Sequence, residues 1–169
     1  MRLVVRTTTK WQGFGPYDLL NMGISLFTNH NITHVGIIVN ETEEYYEVSE
    51  ARPPKSGIYQ MYKSWLHPRI QDGRWDIIEF KDTKISKEKF MKVINEDNGK
   101  PYAFKEYIGF VLYAIFGIKF FKDNDKYRTC GEDVYRKLIK LGYKIQADKP
   151  DYVYPGKVVD LLILNGYMK

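Results

Sequence analysis

The chain contains one cysteine, Cys130, and three histidines, His30, His34 and His67. A thiolate is a strong nucleophile, but an ordinary thiol, with a pKa of about 8.5, needs a base or a positive field to form it at neutral pH. Thr129-Cys130-Gly131-Glu132 has the spacing of a capping box, a threonine followed three residues later by a glutamate. That spacing predicts Thr129 as an N-cap and Cys130 as the first helical residue. There the unpaired amides and the positive end of the helix dipole favour a thiolate and can also hold an oxyanion. Gly131 carries no side chain, which reads as room for a substrate to approach. Against this stands the bland reading: a lone cysteine is most often a small buried hydrophobe.

The base must come from the histidines. His67 precedes Pro68 in a loop-like stretch and reads as a surface residue, and His30 sits in the polar turn Asn29-His30-Asn31. His34 opens an apolar strand with almost no other polar group, where a buried imidazole needs a hydrogen-bond partner or a task. His30 and His34 are four apart, a metal-binding spacing on a helix, but here a turn feeds a strand and no carboxylate offers a third ligand. No metal or other cofactor is expected.

An imidazole acting as a base needs a third group to orient it. The next strand offers Glu47 and Glu50. Side chains alternate along a strand, so Tyr46, Val48 and Glu50 share one face and Tyr45, Glu47 and Ser49 the other. The face carrying Val48 is the more apolar, which favours Glu50. A surface carboxylate at a strand end is the competing reading of that residue.

These residues must be positioned by a mixture of strands and helices. Leu3 to Thr8 reads as a β-branched strand, followed by a turn at Gly13-Phe14-Gly15-Pro16 and helical periodicity from Tyr17 to Phe27. Thr33 to Val39 reads as a strand buried on both faces, and Tyr45 to Glu50 as its antiparallel partner. Short strands are predicted around Ile58 and Tyr59 and over Trp75 to Phe80. Ser86 reads as the N-cap of a helix that stops near Asn98-Gly99. Val134, Leu138 and Leu141 recur at i, i+4 and i+7 after Cys130, and Gly142 stops that helix. Pro155-Gly156 precedes a last helical stretch, Val158 to Leu164. The pattern predicts one α+β domain over residues 1–169.

Composition narrows the setting. The formal charge is +5, but the lysines are scattered, so a solvated surface is the simpler reading and no specific nucleic-acid binding is expected. The longest apolar run, Tyr107 to Ile118, has twelve residues, short of the ~20 a membrane span needs. It reads as a buried helix and leaves membrane-surface contact open. Charge at Arg2 and Arg6 interrupts any signal-peptide core, so the expected location is the cytoplasm or a viral particle assembled there.

With these residues in place, the chain resembles the circularly permuted branch of the NlpC-type papain-like hydrolases, the YiiX-like and LRAT-like group of bacteria, phages and poxviruses. Thr33-His34-Val35-Gly36-Ile37 resembles the family's histidine strand and Val48-Ser49-Glu50-Ala51 its next strand, with Gly57-Ile58 as the turn after it. Gly99-Lys100-Pro101-Tyr102-Ala103-Phe104 resembles the segment ahead of the nucleophile. Cys130-Gly131-Glu132-Asp133-Val134 resembles the cysteine helix, and Tyr154-Pro155-Gly156-Lys157-Val158-Val159-Asp160-Leu161 the closing element. The resemblance spans about residues 30–165, with histidine before cysteine, the permuted order. It implies a Cys130–His34–Glu50 site on an antiparallel sheet packed against the cysteine helix, with Tyr102 lining the cleft beside the oxyanion.

The expected activity is a thiol hydrolase cleaving an amide or ester through an acyl-enzyme. Plausible substrates are a peptidoglycan or other cell-wall peptide, an isopeptide-like bond or an acyl lipid. A catalytically silent binding or structural module of the same fold, or a thiol acyltransferase, are the alternatives.

Overall fold

Leu3, Val4 and Val5 begin the chain with three consecutive apolar residues, a pattern suited to a strand covered on both faces. In the computed structural model, which describes residues 1–8, 22–26, 28–81, 84–103, 126–147 and 153–168, they lie in strand β1 (Arg2–Thr7). Strands β2 (Ile32–Glu41), β3 (Tyr45–Arg52), β4 (Lys55–Tyr62) and β5 (Trp75–Glu79) complete an antiparallel sheet in the order β4-β3-β2-β1-β5. Among the described residues, helices α1 (Lys63–Gln71), α2 (Lys87–Glu96), α3 (Cys130–Lys140) and α4 (Pro155–Leu164) join it. Residues 22–26 are helical as well. The architecture is α+β, and the antiparallel pairing of β2 with β3 is as expected.

The period-2 alternation of the strands builds two cores. Leu3, Val5, Val35 and Ile37 face α2, α3 and α4, where they meet Ile94, Val134, Leu138 and Leu162. Val4, Ile38, Tyr46, Val48 and Trp75 face the other way and pack with Leu66 of α1. Burying each such side chain contributes about 1.5–3 kcal/mol, so the central strands are held from both sides. In β2, Val35 and Ile37 are fully buried and Ile38 nearly so.

Three helix starts follow local rules. Ser86 Oγ accepts the Lys89 amide at 3.2 Å and caps α2. Thr129 caps α3 in the same way, and Pro155 opens α4 at its first position, where a missing N–H costs nothing. α1 departs from expectation. His67 is exposed as anticipated, but on a helix and not in a loop. Pro68 inside it removes a backbone donor, and only Leu66 is buried, so the segment carries neither the composition nor the apolar stripe that announces a helix. The turn at Gly13–Pro16, the helical pattern at 17–21 and the apolar helix expected over Tyr107–Ile118 lie outside the described residues. No described helix is long and apolar enough to cross a membrane.

Candidate functional site at the start of helix α3

Cys130 is the first residue of α3. Thr129 is extended, with φ −89° and ψ 161°, and its Oγ1 accepts the Glu132 amide at 3.3 Å, while its carbonyl accepts the Asp133 amide at 3.0 Å. Helix geometry leaves the Cys130 and Gly131 amides without partners inside the helix. The first turn also carries Glu132 and Asp133, whose charges would oppose a thiolate. Both are neutralised locally: Glu132 Oε1 accepts from Arg136 Nε at 2.8 Å with Arg128 at 3.6 Å, and Asp133 Oδ2 accepts from Lys137 Nζ at 2.6 Å. Their charges therefore do not cancel the positive end of the helix at Cys130.

The segment leading into Cys130 is fixed by its backbone. The Arg128 amide donates to Pro101 O at 3.1 Å, and the Ala103 amide to Arg128 O at 3.0 Å. Tyr102 forms a parallel bridge with Arg128, and its own amide donates to Pro54 O at 2.9 Å. Tyr102 thus lies beside the strand-like approach to the cysteine, half-buried. The Arg128 guanidinium is buried against Asp97, with Nε to Oδ2 at 3.3 Å, and Lys100 reaches Oδ1 at 2.5 Å. Burial alone would raise the Asp97 pKa, but Lys100 and Arg128 more than offset it and hold the carboxyl below its ordinary value.

His34 lies near the start of β2, opposite Arg6 of β1. Its Nε2–H donates to Glu50 Oε2 at 2.6 Å, from a side chain 17% exposed to one only 2% exposed. The other Glu50 oxygen takes Arg52 Nη1 at 3.2 Å, and the Arg52 guanidinium is stacked 3.6 Å from the Tyr59 ring centre. Trp75 stands edge-on to the imidazole at 6.1 Å. Burial pulls the His34 pKa down, but the charges of Cys130 and Glu50 and hydrogen bonds to both outweigh it and push it up to about 10. With Nε2 engaged by Glu50, Nδ1 is the nitrogen left for the thiol. Cys130, His34 and Glu50 are thus brought together at one place.

Gly36 makes the close approach of β3 feasible. A Cβ there would lie 2.6 Å from Val48 Cγ1 and 3.2 Å from Glu50 Cβ, so the missing side chain is the space Glu50 and Val48 occupy.

One reading is corrected. Gly131 does not open space for a substrate: a Cβ there would collide with the Val153 carbonyl oxygen and lie 2.7 Å from Tyr154 C and 2.8 Å from Pro155 N. Its role is to let the start of α3 pack against the backbone that enters α4. The face of β3 that carries Val48 and Glu50 is buried, as its apolar character predicts, and Ser49 and Ala51 on the other face are buried too.

His30 is engaged elsewhere. Its Nδ1 accepts the Ile32 amide at 3.1 Å, its Nε2 lies 3.3 Å from Asp160 Oδ1, and its ring fills the space over Gly156. Among the described residues no group of three or more His, Cys, Asp or Glu is placed to hold a metal ion. Asp97, Arg128 and Lys137 carry no sequence signal of their place at the site, whereas Arg52, two residues after Glu50 on the same strand face, carries one. No protein-family model matches the chain, and no curated protein matches it.

Proposed function

We propose that the protein is a thiol hydrolase of papain-like, circularly permuted type, acting on an amide or ester through an acyl-enzyme on Cys130. The observation that carries the reading is the imidazole of His34 acted on from two sides, by the Cys130 thiol and by the Glu50 carboxylate, with its pKa pushed up to about 10. Such a ring holds its proton at neutral pH, and an imidazolium beside a thiol favours the thiolate. His34 then enters the reaction as an acid. The Cys130 sulfur attacks the carbonyl carbon, and the tetrahedral oxyanion is received by first-turn amides of α3. The C–N or C–O bond breaks, with the His34 proton going to the leaving amine or alcohol. Water next attacks the thioester and gives its proton to His34, releasing the acid and the thiolate. Glu50 holds the ring in orientation throughout, and Tyr102 is assigned to the cleft wall.

A cell-wall peptide, an isopeptide-like bond and an acyl lipid all suit this chemistry, and a thiol acyltransferase differs only in the acceptor. One observation favours a silent binding module: Cys130 is only 2% exposed. Alkylation by iodoacetamide separates the two. The hydrolase reading expects Cys130 labelling at neutral pH to slow by about tenfold or more in His34→Gln, since thiolate formation then loses its cationic neighbour. Equal rates in the two proteins would sink it. A screen of acyl-lipid and peptidoglycan fragments against wild type and Cys130→Ala then identifies the substrate, with an added amine distinguishing transfer from hydrolysis.

A further inference from the structure

Lys137 lies two turns after Cys130 on the side of α3 that faces the sheet. Its Nζ, on a residue 1% exposed, donates to Asp133 Oδ2 at 2.6 Å and to Ser49 Oγ at 2.9 Å. Asp133 and Ser49 are fully buried. Ser49 pairs with Ile37 of β2 and directly precedes Glu50, while Asp133 stands one turn from Cys130.

A buried ion pair is a poor source of stability. Desolvating two charges costs several kcal/mol each, and apolar residues of similar volume often serve as well or better. This pair is not optimised for stability even on its own terms, because Asp133 Oδ1 is buried with no hydrogen-bond partner among the described residues. Burial raises the Asp133 pKa, opposed by Lys137. What a directional, charged contact adds is one permitted register. The apolar stripe Val134, Leu138 and Leu141 holds α3 on the sheet, but apolar contact is non-directional. A small slide or roll of the helix leaves much of it intact and moves the thiol.

We propose that Lys137, with Asp133 and Ser49, is a positioning residue that locks α3 to β3 and so sets the distance from Cys130 to His34 and Glu50. The lock joins the two halves of the site: α3 carries Cys130, Asp133 and Lys137, Lys137 ties Asp133 to Ser49 of β3, and Glu50, next to Ser49, holds the His34 that acts on the thiol. This inference rests on the hydrolase reading above.

Two variants test it. Ser49→Ala keeps the ion pair and removes its tie to the strand, and Asp133→Leu with Lys137→Met replaces the pair by apolar residues. Each is measured by urea unfolding, by iodoacetamide alkylation of Cys130 across a pH series, and by NMR titration of His34. The double variant is expected to unfold at the wild-type urea concentration or higher. In both variants alkylation at neutral pH should fall about tenfold or more, since displacements on the order of an ångström cost up to about a hundredfold. The His34 midpoint should move down from about 10. Folded variants with wild-type alkylation and His34 titration overturn the proposal. If the double variant does not fold, Ser49→Ala decides alone. Should His34→Gln leave wild-type alkylation unchanged, the hydrolase reading itself falls and this inference with it; the two failures are thus distinguishable.

Discussion

Nε2 of His34 donates to Oε2 of Glu50 at 2.6 Å, and the accepting carboxylate is itself almost completely buried. A buried carboxylate needs both oxygens engaged, and Arg52 reaches the second at 3.2 Å from the rim of the sheet. The imidazole is therefore held by an anion whose own charge is compensated from outside the site.

Glu50→Gln tests the anion. The amide can still accept from Nε2–H, so the ring keeps its place while the charge is lost. The His34 midpoint should fall from about 10 toward 6.5, as followed by NMR. Turnover of the substrate found in the screen should drop on the order of a thousandfold or more, the scale seen when a triad carboxylate becomes an amide. Arg52→Met removes a cation from the same cluster, so the midpoint should move the other way, slightly upward. The Arg52 side chain is 44% exposed but Glu50 is buried, so the variant leaves a buried carboxylate oxygen without its partner, and the melting temperature should fall.

The pH dependence follows from His34. Its pKa is raised from 6.5 to about 10, so the proton it delivers to the leaving group is present below that value and absent above it. The kcat/KM for hydrolysis should fall as pH rises through about 10. Alkylation of Cys130 needs no such proton and should not fall there. Parallel pH profiles for hydrolysis and alkylation would remove His34 from the acid role.

Much of this arrangement was legible from residue patterns. The continuous apolar run around Val35 and Ile37 marked an enclosed strand, the Thr129–Glu132 spacing marked the start of α3, and strand alternation selected Glu50 over Glu47. What stayed hidden depends on which segments meet. Gly131 looked like open space because the residue cannot say that Val153 lies opposite. Nothing local to Lys137 announces its burial, since its contact with Ser49 spans 88 residues. α1 was masked by Pro68, which argues locally against a helix that the packing of Leu66 nevertheless holds.

Gly131→Ala tests the corrected role of that glycine. The added methyl would press on the backbone of Val153, Tyr154 and Pro155, and backbone yields less readily than a side-chain tip. Overpacking of this kind costs about 1–3 kcal/mol, to be read from urea unfolding. Cys130 alkylation at neutral pH should slow as well, because the helix start is what shifts. A variant as stable as wild type with faster labelling would restore the original view of Gly131 as an approach channel.

Asp97 contributes to stability on the acid side. Its pKa is lowered from 3.8 because Lys100 and Arg128 outweigh the effect of burial. A carboxylate with a depressed folded pKa contributes stability that is fully present above the unfolded value and is lost as pH falls through the folded one. The loss should therefore begin near 3.8 and continue below it. Its structural origin is first the Lys100 ammonium on Oδ1 and then the buried Arg128 guanidinium, two residues before Cys130, on Oδ2; both contacts weaken once the carboxyl is protonated. Urea unfolding of wild type and Asp97→Asn through this range checks the point. The variant should be less stable near neutrality and should show a shallower acid decline. Equal slopes in the two proteins would assign the acid sensitivity to other carboxylates and leave the Arg128 anchor without a role in it.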